Sequence, residues 1–386
     1  MLVSISGAAP AIAVPALYPR IVVDLPGLTP QLLGIATTAF FALSSVTAPL
    51  GGRLADRLGG GRGVQVSAAG SLLVLVAIAV APTPAALLAA MTAAGVVHGF
   101  GLTVSSLALS SALSGASAAT QFGIKQSSIP MASLLAGAGL SLAAGVSWRV
   151  VLSAFVVFPA AAWGLRPPPE VGGRLAVGAA PPSRHVLNAR LVRLLAVAAL
   201  AGFGVSSLAT FGVLSLVRSG WSEAAAGTIY ATAAVVSLCS RVLVGAVADR
   251  RGDSAIAIAG ALLLAGAVGF GLLGAGGRAA AVVGLLLAYG LGWSYTGLMM
   301  FAVARANPGR VARATGWLQA GAAVGISAGP ALFGLVEKTA DPGAAWWTMA
   351  ACSGLAGLLA ILRRGRGVAG RADASVVADP TRAERR

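Results

Sequence analysis

Three basic side chains stand where charge is costly. Lys125, Arg241 and His98 each fall inside a long apolar stretch of the chain. A lysine or arginine at mid-membrane costs roughly 2.5–3.5 kcal/mol on insertion scales, so such residues point to binding, coupling or gating. Histidine titrates near neutrality, so His98 reads either as a proton carrier or as a neutral imidazole packed between helices. The acids give the complement. All 11 of them, Asp24, Asp56, Glu170, Glu223, Asp249, Asp253, Glu337, Asp341, Asp373, Asp379 and Glu384, fall in connections, at ends of apolar stretches or in the C-terminal tail. An apolar interior holding cations without carboxylates favours a small anion and disfavours an organic cation.

Polar neighbours extend these positions into candidate binding surfaces. Gln121, Lys125 and Ser128 follow i, i+4, i+7 spacing and make one polar stripe, with Gln126 beside it. Lys125 has two readings: a cavity-facing charge, or a side chain snorkelling to lipid headgroups. Arg241 shares a helix face with Tyr230 and Ser237 but precedes Asp249 by only two turns, so it reads as site or gate. Tyr289, Trp293 and Thr296 share another face, suited to solute contact or to packing. Gly321, Gly325 and Gly329 before Pro330 read as a close-packing surface. No HExxH or Cys/His spacing suggests a metal, and Cys239 and Cys352 both lie in apolar stretches. No cofactor is indicated, and no nucleophile–base pair suggests an enzyme.

Positioning these residues is the task of membrane helices. Hydrophobic residues make up 57% and charged residues 10% of the chain, against about 25% charged in a soluble domain. Twelve apolar stretches of about membrane-spanning length run near 2–23, 30–52, 63–81, 85–111, 119–145, 149–165, 193–215, 223–247, 255–275, 279–303, 314–336 and 344–362. The expected organisation is a six-helix half at 1–165, a cytoplasmic linker at 166–192, a second half at 193–365 and a disordered tail at 366–386. With both termini placed in the cytoplasm, 20 Lys and Arg lie on the inner side and 5 on the outer, as the positive-inside rule requires. The same distribution explains the net charge of +16 without nucleic acid. An Arg-, Ala- and Gly-rich composition points to a bacterial cytoplasmic membrane.

The chain also repeats itself. Gly52-Arg53-Leu54-Ala55-Asp56-Arg57-Leu58-Gly59 returns 193 residues later as Gly245-Ala246-Val247-Ala248-Asp249-Arg250-Arg251-Gly252. The same offset carries Gly99 to Gly292, Gly123 to Gly316 and Gln126 to Gln319, so the chain is two copies of one unit. Against this symmetry Lys125 faces Leu318, Arg241 faces Ala48 and His98 faces Leu291, which marks the three as functional asymmetries.

Twelve spans with a doubled G-x-x-x-D-R-x-G after the second and eighth resemble the major facilitator superfamily of secondary transporters. The resemblance implies an all-α polytopic fold of two pseudo-symmetric six-helix halves, working by alternating access. It also implies a cytoplasmic gate at Gly52, Asp56, Arg57, Gly59, Gly245, Asp249, Arg250 and Gly252, facing the eleventh and fifth spans, and a cavity lined by the first, fourth, seventh and tenth. Gly123-Ile124-Lys125-Gln126 with Pro130 following is loosely similar to the cyanate-permease-like branch. The Arg of many proton-coupled members and the fifth-span Gly-Pro of drug antiporters are absent. The expected activity is transport of a small, anionic solute by a monomer in the bilayer, with protons or a counter-anion as coupling partners. The alternatives are a multidrug or metabolite exporter and a non-transporting receptor or scaffold.

Overall fold

Proline shapes the first helix. Leu2–Ala16 contains Pro10 and Pro15, and the short helix Tyr18–Asp24 leaves it at 70°. Proline lacks a donor and crowds the preceding turn, so the ladder breaks at Leu17 between Pro15 and Pro19. The computed structural model describes residues 1–112, 126–142, 145–165, 188–250, 255–307 and 311–362. Among the described residues there is no strand. Nine helices among them are long and apolar enough to cross a membrane, ten if the bent first pair is one span. Two shorter apolar helices, Ser128–Leu142 and Trp148–Gly164, stand at the fifth and sixth expected spans. Later elements follow the predicted stretches: Ala189–Arg218, Glu223–Arg250, Ala255–Ala275, Val311–Thr339 and Pro342–Ile361. The chain is an all-helical polytopic membrane protein.

Two elements depart from simple spans. Helical winding is continuous over the 50 residues Pro30–Ala79, through the expected connection between the second and third spans. Drawn straight, it would reach about 75 Å, more than twice the hydrocarbon core. The contacts show that it is not straight. Gly95 meets Phe40 and Gly99 meets Ser44, whereas Gly63 meets Val104 and Gly70 meets Val97. The first pairings rise together along both partners and the second run opposite, so the chain doubles back between Gly51 and Gly63. Both arms then lie on Pro84–Ala112. The tenth span, Arg278–Ala306, changes winding along its length: α over Arg278–Leu285, π over Leu286–Leu291, 3₁₀ over Gly292–Ser294, then α over Tyr295–Ala306.

Glycine sets how closely these helices approach. A Cβ on Gly95 or Gly99 would run into the second span's backbone at Phe40 and Ser44. Gly321, Gly325 and Gly329 press in the same way on the carbonyls of Leu195, Ala199 and Phe203 in the seventh span. In lipid, where apolar surface gains nothing by leaving solvent, such close contact drives helix association. Aromatic packing completes the join. Phe211 and Phe333 stack at 4.4 Å, and Trp346 meets Phe333 at 4.6 Å.

One end of the bundle, the end the charge count assigns to the outside, is closed by polar contacts. Arg20 pairs with Glu223 at 3.1 Å and donates to the Leu140 carbonyl at 2.7 Å, tying the first, fifth and eighth helices together. Arg149 pairs with Asp24 at 2.8 Å, and Arg218 with Glu337 at 2.6 Å. The hydroxyls of Ser141 and Thr228 lie 2.7 Å apart, and Gly137 faces Gly227 backbone to backbone. Gly34 lies against the Pro330 carbonyl, and the Ala331 N–H donates to Thr38 at 3.1 Å.

Candidate functional site

Arg241 is held inside the bundle by the helix Glu223–Arg250, with 4% of its surface exposed. Its Nε donates to Ser237 Oγ at 3.4 Å, one turn back on the same helix. Nη1 donates to the Gln126 carbonyl at 3.0 Å and to Thr296 Oγ1 at 3.3 Å, and Nη2 to the Trp293 carbonyl at 3.3 Å. The guanidinium also sits 5.9 Å from the Trp293 ring centroid, within the range of a cation–π contact. Every one of these acceptors is neutral. The three ion pairs found among the described residues all lie at the closed end, and none involves Arg241.

The irregular tenth span makes this arrangement possible. In an unbroken α-helix each carbonyl is taken up by the N–H four residues on. Where the winding changes, the Gly290 carbonyl accepts Ser240 Oγ at 2.6 Å and the Trp293 carbonyl accepts Arg241. Irregular turns of this kind recur at functional sites because they present backbone groups to a ligand or side chain.

Arg241 faces a cavity of about 90 Å³. The cavity also takes in His98, Gln126, Trp293, Thr296 and Gln319, so it gathers side chains from the fourth, fifth, eighth, tenth and eleventh spans. Its remaining wall is largely apolar, with Phe40, Phe41, Ile129, Met299, Met300 and Ile326. His98 is buried and stacks on Phe40 at 5.1 Å between centroids, with Nδ1 against Gly7. Tyr289 stands behind the lining. Its hydroxyl donates to Ser133, its ring lies edge-on to Trp293 at 4.8 Å, and Tyr230 donates to the same Ser133 at 3.5 Å. Ser128 is buried outside the lining.

Gln121, Lys125 and Gly252 lie outside the described residues, as do the side chains of Asp56 and Asp249. Of the repeated motif, Gly52 and Gly59 lie within the continuous helical winding, Gly245 is buried on the eighth span, and Arg57 and Arg250 are exposed. A Cβ on Gly316, near the start of the eleventh span, would meet nothing within 4 Å. Sequence reasoning missed Phe40, Phe41, Tyr295, Met299, Met300 and the first-span wall of Ala8, Ala11 and Ile12. An apolar residue facing a cavity and one facing lipid look alike in a membrane sequence. Only the spacing of Met299 and Met300, three and four residues after Thr296, carried a usable signal.

A bundle of membrane helices around a central cavity, with repeated halves and a buried charge in the cavity wall, defines the architecture of a membrane transporter. The chain belongs to the Major Facilitator Superfamily, which its sequence matches over residues 1–309. No curated protein matches the sequence. Solved structures resemble it throughout. The human organic anion transporter MFSD10 superposes with a TM-score of 0.65 at 19% identity, covering 93% of this chain and 98% of that one. The nucleoside transporter NupG (D323A mutant) gives 0.70 at 15% identity over 94% and 98%. A D-xylose-proton symporter gives 0.76 at 13% over 93% and 95%. At these identities the likeness establishes the fold. The family and these neighbours are transporters rather than enzymes.

Proposed function

We propose that the protein is a secondary carrier that moves a small organic anion across a bacterial cytoplasmic membrane by alternating access, with Arg241 as the counter-charge. The observation that carries this reading is a buried guanidinium, bound among the described residues only to neutral acceptors, in the wall of the central cavity. Backbone carbonyls and hydroxyls orient such a charge but leave it uncompensated, and an incoming anion supplies what they lack. His98, Gln126, Trp293, Thr296 and Gln319 complete the site, and Lys125 is a further candidate for it. In this reading residues 1–165 and 193–365 are the two rocking halves, the repeated motif is the cytoplasmic gate, and both termini are cytoplasmic. The contacts at the Asp24 end then describe a carrier closed outside and facing inward. Protons or a counter-anion are the coupling partners, and the carrier works as a monomer. The name of the organic anion transporter among the structural neighbours agrees with this assignment.

The test is ligand-dependent thermal stabilisation of the purified native chain and of Arg241→Gln, against small carboxylates, amines and neutral solutes. Stabilisation by carboxylates that disappears in the variant supports the assignment. Stabilisation by apolar amines, unchanged in the variant, replaces it with multidrug export, the reading that the aromatic and thioether wall would favour.

A further inference from the structure

Gln126 and Gln319 are related by the 193-residue repeat, and both line the central cavity, one from each copy of the unit. They are the same residue type at equivalent positions, in a wall otherwise dominated by apolar side chains. Neither side-chain amide has a hydrogen-bond partner among the described residues. An amide carries two donors and an acceptor, and with Gln126 half-buried and Gln319 exposed both remain open to a solute in the cavity. Unlike Arg241, neither can serve as a counter-charge. Their chemistry suits an uncharged group that both donates and accepts.

Position narrows the class further. Arg241 Nη1 donates to the backbone carbonyl of Gln126 at 3.0 Å. The Gln126 amide therefore springs from the residue that touches the guanidinium, and what it contacts stands close to the anionic end of the solute. Away from these polar groups the wall is Phe40, Phe41, Trp293 and Met300, which suits an apolar body.

Resting on the reading of Arg241 as counter-charge, we infer that Gln126 and Gln319 form a two-sided clamp. It selects a monocarboxylate that bears a hydroxyl group on the carbon next to the carboxylate and an apolar remainder. The clamp joins the two halves only when such a solute lies between them.

Mandelate and phenylacetate, which differ by that hydroxyl alone, test the inference, with mandelamide as the uncharged control. Apparent affinities are read from thermal stabilisation of the native chain, Gln126→Met, Gln319→Met and Arg241→Gln. Methionine matches glutamine in length, and replacing the Gln126 side chain leaves the backbone carbonyl that Arg241 uses. The native chain is expected to bind mandelate about three- to tenfold more tightly than phenylacetate, the range of one neutral hydrogen bond. Each methionine variant is expected to bring that ratio close to one while holding phenylacetate affinity, and Arg241→Gln to weaken both acids together. Equal affinity for the two acids in the native chain, or a ratio that survives both methionine variants, overturns the clamp and leaves the anion assignment standing. Binding of mandelamide as tight as mandelate, unaffected by Arg241→Gln, overturns the anion assignment and the clamp with it.

Discussion

Arg241 carries most of the functional argument, and its strength lies in what surrounds it. A guanidinium held by Ser237, Thr296 and two backbone carbonyls is oriented but not neutralised. Replacing it with glutamine removes a costly buried charge and keeps the ability to donate to those acceptors. Arg241→Gln should therefore fold with an unchanged or higher melting temperature. It should weaken carboxylate binding by about ten- to 150-fold, the equivalent of a charge-assisted hydrogen bond of roughly 1.5–3 kcal/mol. Arg241→Lys should recover part of that affinity, because lysine restores the charge without the planar fork; isothermal titration with the same carboxylate separates the three proteins. Repeat asymmetry singles out Arg241 and His98 from the sequence, since a charge opposite Ala48 needs a reason, whereas repeat symmetry pairs the two glutamines. Depth is not legible in the same way. Periodicity gives the face of a helix, but whether that face meets a cavity or a gate depends on partners 52 to 115 residues away in the chain.

The helices divide into those whose form the sequence announces and those whose form is imposed from outside. Four-residue glycine spacing marks the eleventh span as a packing surface, and the structure sets Gly321, Gly325 and Gly329 against the seventh. Gly325 has no room for even one added carbon, because the Ala199 carbonyl occupies that space. Gly325→Leu should destabilise the protein by more than the roughly 1–3 kcal/mol usual for overpacking a core, seen as a fall in melting temperature or in folded yield. Gly316→Ala, with open space around its Cβ, should leave both unchanged. The tenth span is the contrary case. Residues 286–294 read as ordinary apolar helix, yet they wind as π and 3₁₀ turns, and the bonds received from Ser240 and Arg241 are tertiary. No local pattern encodes a distortion that exists to meet a neighbour. The reversal between Gly51 and Gly63 is hidden for another reason: helical winding persists through it.

At the scale of the molecule, apolar length makes the membrane class and most helix positions legible, and the doubled motif carries the family resemblance. Which end is closed is not. Arg20, Asp24, Arg149 and Glu223 read from the sequence only as charges at the ends of stretches, and their pairing requires three dimensions. Because Ser141 and Thr228 touch across the closed end at 2.7 Å, cysteines at both positions should cross-link in a background of Cys239→Ser and Cys352→Ser. The bridge should hold the carrier facing inward and stop transport until it is reduced. Exposed pairs such as Arg149–Asp24 contribute about 0–1 kcal/mol each, so Asp24→Asn should shift the balance between conformations more than it alters the melting temperature, measured as increased labelling of a cysteine placed at Ser141. The central claim, a single anion site presented alternately to the two sides, is tested most directly by counterflow in proteoliposomes. The solute would be the radiolabelled monocarboxylate that stabilises the protein most. The account predicts uptake that saturates, is accelerated by unlabelled carboxylate inside, and is lost both in Arg241→Gln and in the cross-linked protein. Uptake that does not saturate, ignores the internal carboxylate and persists in the cross-linked protein would contradict it.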